Sequence, residues 1–276
     1  MGMVSASVIN FKEPSEITKS KIIWNTHGKM GMPNTSVKGD VSFESKKISI
    51  SFKIVGKTRR LNLFWQNFKN GEDLVVDIML SDEPKESMNI ATPFDKPAHF
   101  YYNRKIIGFK ASGYAQLGEK TLLNFNKKSA HGLLDWGRGV WPYKNMWVWG
   151  AFMQKINGHE FGINLGYGFG DNSRATENAV FYDGIMHKLC NITVDFAKTG
   201  KQEDYNLAMK VKSDDRRLDA TFLPIIDRHA KTDLVFIGSN QHQVFGVLSG
   251  KAKLDSGEVI DFNEIFGFIE KVTNKW

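Results

Sequence analysis

The sequence has a single cysteine, Cys190, in 276 residues. A disulfide bond within the chain is therefore excluded, and this is typical of proteins that fold in a reducing compartment. We expect a cytoplasmic protein. Cys190 lies in an apolar run, so we expect it to be a small buried side chain rather than a nucleophile.

Long apolar runs and proline are also scarce. No apolar run approaches the roughly 18 residues of a membrane-spanning helix, and the first residues lack the basic and apolar regions of a signal peptide. Seven prolines stand against 25 glycines, which favours a sheet protein with many tight turns. We therefore expect no membrane span.

The sequence lacks the spacings that bind metals, phosphates and nucleic acids. Its seven histidines show no paired metal spacing, so we predict no metal site and no cofactor. The segment 166–170 (Gly-Tyr-Gly-Phe-Gly) has no following Lys-Ser/Thr and is not a phosphate loop. The net charge of +7 is scattered along the chain, which indicates a solvated basic surface and no nucleic-acid partner.

Apolar residues recur at every second position instead of at helical spacing. The alternation is clear over 48–54, 161–169 and 207–211 and predicts an all-β protein. Residues 1–34 show no such pattern and are expected to be irregular. We predict two β halves, 1–130 and 131–276, with one continuous domain as the alternative.

The most distinctive stretch is a predicted hairpin that carries two tryptophans. Asn157-Gly158 suits a type I′ turn, because both central residues of that turn need φ > 0. Such a turn places Trp149 opposite Gly166 and Trp147 opposite Gly168. Directly opposed residues share a face of the sheet, so each face of the hairpin can be predicted.

One face of the hairpin is ordinary core, and its apolar residues are Val148, Phe152, Phe161, Ile163, Leu165 and Tyr167. The other face sets the two indoles against glycines and one amide, Asn164. Two interpretations stay open. The indoles fill the space above the glycines, as aromatic residues do when they rescue strand glycines, or the glycines leave room for a ligand.

The segment Asp135–Tyr143 precedes this hairpin and is predicted to be a loop beside it. We predict that one concavity collects the ligand-binding residues Trp136, Arg138, Trp141, Tyr143, Trp147, Trp149, Asn164 and Asn178. Asp135 and Glu177 are the candidate catalytic carboxylates, because a pair with different pKa values can act as acid and base. The alternatives are an Asp135–Arg138 ion pair and local turn bonds around Glu177. Glu270 follows an apolar run and is expected to pair with an arginine or lysine.

Several motifs resemble the bacterial family called domain of unknown function 2804. They are Asp135-Trp-Gly-Arg-Gly-Val-Trp-Pro-Tyr143, Gly162-Ile-Asn-Leu-Gly166, Thr176-Glu-Asn-Ala179, Gln243-Val-Phe-Gly-Val-Leu-Ser-Gly250 and Gly267-Phe-Ile-Glu270. The resemblance covers most of the chain from about Asn103 onward. That family is distantly similar to the lipocalin-related proteins that include carotenoid hydratases and tocopherol cyclase. The resemblance implies antiparallel calycin-like sheets, arranged as two barrel-like halves packed together, with an apolar pocket.

Two functions follow as expectations. The first is a hydratase, cyclase or isomerase without a metal, acting on an apolar or cyclic small molecule. The second is a protein that binds a lipophile or a sugar with the same tryptophans and without catalysis. Both predict a small-molecule ligand.

Overall fold

The alternating pattern of the sequence forms strands throughout the chain. A computed structural model describes residues 2–28, 30–233 and 236–275, with side chains for all of these except 120–122. In that part of the chain every regular element is a β-strand. The predicted all-β class is therefore confirmed, and none of the described elements is a helix that could cross a membrane.

The strands of the first half of the chain are β1 (Gly2–Asn10), β2 (Ser15–Ile23), β3 (Val41–Glu44), β4 (Ile48–Val55), β5 (Thr58–Lys69), β6 (Glu72–Ser81), β7 (Met88–Pro93), β8 (Phe100–Leu117), β9 (Lys120–Phe125) and β10 (His131–Val140). Those of the second half are β11 (Lys144–Ile156), β12 (His159–Tyr167), β13 (Ala179–Tyr182), β14 (Ile185–Lys188), β15 (Ile192–Asp195), β16 (Lys198–Thr199), β17 (Gln202–Glu203), β18 (Met209–Ser213), β19 (Leu218–Asp233), β20 (Gly238–Lys253) and β21 (Val259–Lys275).

The first compact unit comprises Met1–Glu83 and Phe109–Gly132. Strands β3 to β6 form an antiparallel meander, and β6 pairs with the second part of β8. Trp65, Phe68 and Leu74 are buried in its core. Burying large apolar side chains supplies the main driving force for folding.

The N-terminal segment is strand, so the prediction that residues 1–34 are irregular is wrong. Strands β1 and β2 pair from Gly2–Ile23 to Asn10–Ser15. Val4 lies in the core of the first unit, and Ala6, Val8 and Ile17 pack against it, whereas serine, lysine and threonine occupy seven of the 18 positions of the two strands. The polar side chains hide the apolar alternation from which a strand is predicted.

The second compact unit comprises Pro84–Gly108 and Leu133–Trp276. Its main sheet has nine strands in the order β14-β13-β12-β11-β21-β20-β19-β18-β15. The last strand pairs with both β11 and β20, which brings the end of the chain beside the Trp-rich hairpin. The predicted division at residue 130 stays a prediction, while residues 84–108 pack with this second unit.

The hairpin of β11 and β12 has the predicted register. Asn157 (φ 49°) and Gly158 (φ 91°) form the turn, and Trp149 lies opposite Gly166. The predicted core residues of this hairpin lie in the main core of the unit, with Tyr167 packed against it. The pairing ends at Tyr167, so the predicted Trp147–Gly168 pair is wrong: Gly168 has φ 89° and leaves the strand.

Cys190 is exposed, so its predicted burial is wrong. The neighbouring Leu189 takes the inward position and is 3% exposed. The backbone N–H of Cys190 donates a hydrogen bond to Asp215. An apolar run in sequence therefore does not bury each of its members.

Candidate functional site

A small cavity lies within the second unit, and half of its lining residues are aromatic. Its volume is about 160 Å³, close to the size of a cavity that binds one benzene ring. Its aromatic lining residues are Tyr101, Trp141, Trp147, Trp149 and Phe169. The Phe169 ring lies 4.9 Å from the Tyr101 ring and 5.2 Å from the Trp147 ring. Edge-to-face contacts of this kind hold the wall together.

Charged and amide side chains complete the lining: Lys105, Asp135, Asn145, Glu177 and Glu270. Lys105 is 5% exposed, and its Nζ lies 3.0 Å from Glu177 Oε2 and 3.9 Å from Asp135 Oδ2. The same ammonium lies 3.7 Å from the centre of the Trp149 ring, a cation–π contact. One cation therefore joins both candidate catalytic carboxylates to the indole wall.

Asp135 has an environment that favours its neutral form. One third of its side chain is exposed, and protein surrounds the rest of the group. Burial raises the pKa of the Asp135 carboxyl above its usual range, Lys105 opposes this effect, and the charge of Glu177 adds to it. A raised pKa makes this carboxyl group a candidate proton donor.

Glu270 is the most deeply buried carboxylate of the cavity. Its Oε1 accepts a 2.7 Å hydrogen bond from the Trp147 indole, and its Oε2 accepts bonds from Gln241 and Gln243. The predicted arginine or lysine partner is wrong, because indole and amide donors take that place. Burial raises the pKa of Glu270, and the bond from Trp147 opposes this.

Tyr101 reaches the cavity because a glycine lies beside its ring. A Cβ atom at Gly137 would come within 2.4 Å of the Tyr101 hydroxyl oxygen, so any larger residue there displaces the phenol. Burial raises the pKa of Tyr101, and the charge of Asp135 adds to this effect. The phenol is therefore neutral and can act as a hydrogen-bond donor.

Five of the predicted site residues line this cavity: Asp135, Trp141, Trp147, Trp149 and Glu177. Asp135 and Glu177 face the same cavity, and both lie within 4.0 Å of the Lys105 ammonium nitrogen. The predicted Asp135–Arg138 ion pair is replaced by the contact between Asp135 and Lys105. The roles of these residues stay predictions.

Five predicted residues do not line the cavity: Trp136, Arg138 and Tyr143, and the two amides Asn164 and Asn178. The predicted loop is wrong in its first part, because β10 extends as far as Val140. Successive side chains of a strand alternate between faces, so Trp136 and Arg138 lie on the face opposite Asp135. Trp136 packs against the Tyr102 ring, and the Tyr143 hydroxyl bonds the Phe236 carbonyl.

Asn164 and Asn178 hold the residues of the cavity wall in position through hydrogen bonds. Asn164 accepts a 2.9 Å bond from the Trp149 indole and donates to the Glu177 carbonyl. Asn178 accepts from the Gly166 N–H and donates to the Cys190 carbonyl. Both side chains are buried and position Trp149 and the 177–178 segment.

Gly166 and Gly168 make room for neighbouring side chains of the protein. A Cβ atom at Gly166 would lie 2.3 Å from Glu177 Oε1, and one at Gly168 would lie 2.5 Å from Met146 Sδ. Neither interpretation of these glycines from sequence describes this arrangement. Gly166 provides the space through which Glu177 reaches Lys105.

Sequence reasoning missed Tyr101, Lys105 and Phe169. The polar residues around Asn103 suggest a break, yet they lie inside β8. Alternation along β8 places Tyr101, Asn103 and Lys105 on one face. Three polar side chains on one face of the strand are the sequence pattern that could have identified them. Phe169 lies between two glycines with φ near 90°, Gly168 and Gly170. A large aromatic residue flanked by two glycines in the sequence is a second pattern that could have identified a site residue.

A larger cleft of about 960 Å³ shares Asn145 with the cavity. It is open to solvent, and none of the predicted site residues lines it. Lysines, aspartates and glycines form much of its surface. Among the described residues, no cluster of His, Cys, Asp or Glu is suited to hold a metal ion. The cavity therefore remains the better candidate for acid–base chemistry.

Two solved structures share this architecture. Kievitone hydratase from Nectria haematococca is 14% identical, with a TM-score of 0.53 over 99% of this chain and 79% of that chain. A protein from Nitrosomonas europaea assigned as AttH is 12% identical, with a TM-score of 0.52 over 93% and 75%. The fold is the calycin-like antiparallel fold expected from the sequence, with a curled half-barrel sheet.

The family follows from the sequence comparison. The model of the domain of unknown function family DUF2804 matches residues 1–276, and the chain belongs to that family. No curated protein matches the sequence.

Proposed function

We propose that this protein is an acid–base enzyme of the hydratase, cyclase or isomerase type, acting on an apolar or cyclic small molecule. The observation that carries this proposal is the placement of Asp135 and Glu177 around the Lys105 ammonium. They lie in an aromatic cavity of about 160 Å³. Paired carboxyl groups in different environments divide the roles of acid and base.

The roles follow from the two environments. Asp135, whose pKa is raised by burial, gives its proton to one carbon of a C=C bond. Water forms the new C–O bond at the other carbon and loses a proton to Glu177, whose Oε2 lies 3.0 Å from Lys105 Nζ. Proton exchange with solvent then returns both carboxyl groups to their starting states. Ring closure uses a hydroxyl group of the substrate in place of water.

The aromatic wall supports the same chemistry. Indole faces stabilise positive charge, and protonation of a C=C bond creates positive charge on carbon. The fold is shared with kievitone hydratase, whose name states a hydration reaction. At 14% identity that likeness supports the fold, while the activity rests on Asp135, Glu177 and Lys105.

The test is a hydration screen in ¹⁸O-labelled water. The protein is incubated with small aromatic alkenes and α,β-unsaturated ketones, and mass spectrometry detects products that have gained one labelled water. We expect turnover by the wild type and a loss of about 10²-fold or more in Asp135→Asn and in Glu177→Gln, as for general acid–base groups. Asp261→Asn is the matched control, because Asp261 is exposed and pairs with Lys251.

A non-catalytic protein that binds a lipophile or a sugar is the second candidate. It is favoured by the hydrogen bonds that Trp147, Trp149 and Glu270 already make within the protein. Under this candidate no compound gains labelled water. Asp135→Asn then alters only the affinity for a bound compound.

A further inference from the structure

We infer that the cavity binds a small organic cation, so that its substrate class is apolar molecules that carry one amine or quaternary ammonium group. The inference rests on the proposed function only in calling the bound molecule a substrate. The evidence for it is the set of acidic and aromatic side chains that line the cavity.

The cavity contains more acidic than basic groups. Three carboxylates, Asp135, Glu177 and Glu270, line it together with one cation, Lys105. Lys188 acts on Glu177 from farther away, and its own ammonium donates to the Thr176 carbonyl. A ligand of positive charge favours the ionised form of these acidic groups and balances their charge.

The aromatic lining is the second, independent observation. Five aromatic side chains, including Trp141, Trp147 and Trp149, surround about 160 Å³. Aromatic cages of this kind recognise ammonium groups through the electron-rich faces of their rings. The cavity already holds one ammonium in this way, since Lys105 lies over the Trp149 ring at 3.7 Å.

An anionic ligand fits less well. It would approach three carboxylates, of which Glu270 is 5% exposed. Lys105 is already shared between Glu177, Asp135 and the Trp149 ring. The remaining donors, such as the Tyr101 hydroxyl, are neutral. The combination of acids and rings therefore favours a cation.

The test compares choline with 3,3-dimethylbutan-1-ol, a neutral molecule of the same shape. Binding to the full-length protein is measured by calorimetry and by quenching of tryptophan fluorescence. We expect choline to bind at least tenfold more tightly than the neutral alcohol. Binding should also release protons, because a cation beside Asp135 favours its ionised form.

Two variants locate the site. Glu270→Gln removes one charge while its amide oxygen can still accept the Trp147 bond, and Phe169→Leu removes one ring. Each should weaken choline at least fivefold and leave the neutral alcohol nearly unchanged, while Asp261→Asn leaves both affinities unchanged. Circular dichroism confirms that each variant is folded.

The outcomes separate this inference from the proposed function. Equal affinity for choline and the alcohol, or equal choline affinity in all variants, overturns the inference even if hydration occurs. Choline selectivity that both variants weaken supports it even if no compound gains labelled water, in which case only the proposed reaction fails.

Discussion

At the scale of single residues, Lys105 holds the site together. Its ammonium contacts Glu177, Asp135 and the face of Trp149, while its side chain is almost completely buried. An ammonium in such a place is stable only while its partners are present, because an unpaired buried charge costs several kcal/mol. The pairing explains how two carboxylates can lie close together beside an aromatic wall.

Asp135 gives a prediction about pH. Burial raises its pKa in the folded protein above the unfolded value of about 3.9, so the contribution of Asp135 to folding stability is greatest below that value. The contribution is lost as the pH rises through the raised pKa. The Asp135→Asn variant cannot ionise at this position, so we expect its Tm to rise relative to that of the wild type as the pH increases from about 4 to about 8. Each kcal/mol of difference in unfolding free energy shifts Tm by about 2–4 °C.

Differential scanning fluorimetry across this pH range measures the effect. Asp261→Asn, at an exposed position, should show no such trend. A difference between Asp135→Asn and wild type that is constant with pH would contradict the raised pKa.

Trp149 gives a prediction about stability. Its indole N–H donates to Asn164, which is fully buried. Trp149→Phe keeps a ring but leaves the Asn164 oxygen without this donor, which should cost about 1–3 kcal/mol. Trp149→Ala should cost about 3–5 kcal/mol, as for large-to-small core changes.

Urea unfolding measures both costs. Trp141→Phe is the control, because Trp141 is 42% exposed and its substitution should stay within about 0.5 kcal/mol. Equal costs for the Trp149→Phe and Trp141→Phe variants would show that the bond to Asn164 adds nothing.

At the scale of elements, the β11–β12 hairpin positions the site through its register. The Asn157-Gly158 turn sets which residues face each other, and a shift by one residue would move every side chain to the other face. The register places Gly166 opposite Trp149, where Glu177 passes over the glycine. A turn far from the cavity thus decides the position of a candidate base.

Gly166→Ala should displace Glu177 and leave the fold intact. The new methyl group would meet the Glu177 side chain at 2.3–2.8 Å, and the flexible carboxylate can move more easily than the strand. We expect turnover in the hydration screen to fall at least tenfold with a small change in unfolding free energy. Gly238→Ala is the control, since a Cβ atom there finds only ordinary contacts at 3.8 Å.

Unchanged turnover in the Gly166→Ala variant would show that catalysis does not depend on the position of the Glu177 side chain. A loss of folding in this variant, detected by circular dichroism, would show that the strand moves instead of the carboxylate.

At the scale of the whole molecule, the second unit takes in a segment from the first half of the chain. Residues 84–108 supply Tyr101 and Lys105 to the cavity. They also supply Met88 and Ile107 to a buried cluster with Phe181 and Phe268. A division of the chain at residue 130 separates these partners.

The fragment 131–276 is therefore expected to fold poorly. Without residues 84–108 the buried cluster would be exposed, and exposed apolar surface favours aggregation. Expression of this fragment and of the full chain, followed by size-exclusion chromatography and urea unfolding, gives the test. A soluble fragment with a cooperative transition would support two halves that meet at residue 130.

The sequence alone predicted much of the local structure. Alternation predicted the all-β class, and Asn157-Gly158 predicted a register that places Trp149 opposite Gly166. It also placed Asp135, Trp141, Trp147, Trp149 and Glu177 among the site residues. The predicted class and register are confirmed because turn conformation and side-chain alternation depend on neighbouring residues only, while the roles of the site residues stay predictions. The N-terminal hairpin escaped prediction because its polar side chains mask the pattern.

The tertiary structure alone decided which distant residues meet. Trp147 bonds Glu270 across 123 positions, and Lys105 comes from another strand to join Asp135 and Glu177. No local pattern encodes such contacts, because they depend on which faces pack together after the strands have formed. Alternation showed that a side chain points to one of two faces. Packing decided that the face of β10 that carries Asp135 lies against Lys105, and that Trp136 and Arg138 lie on the face opposite the cavity.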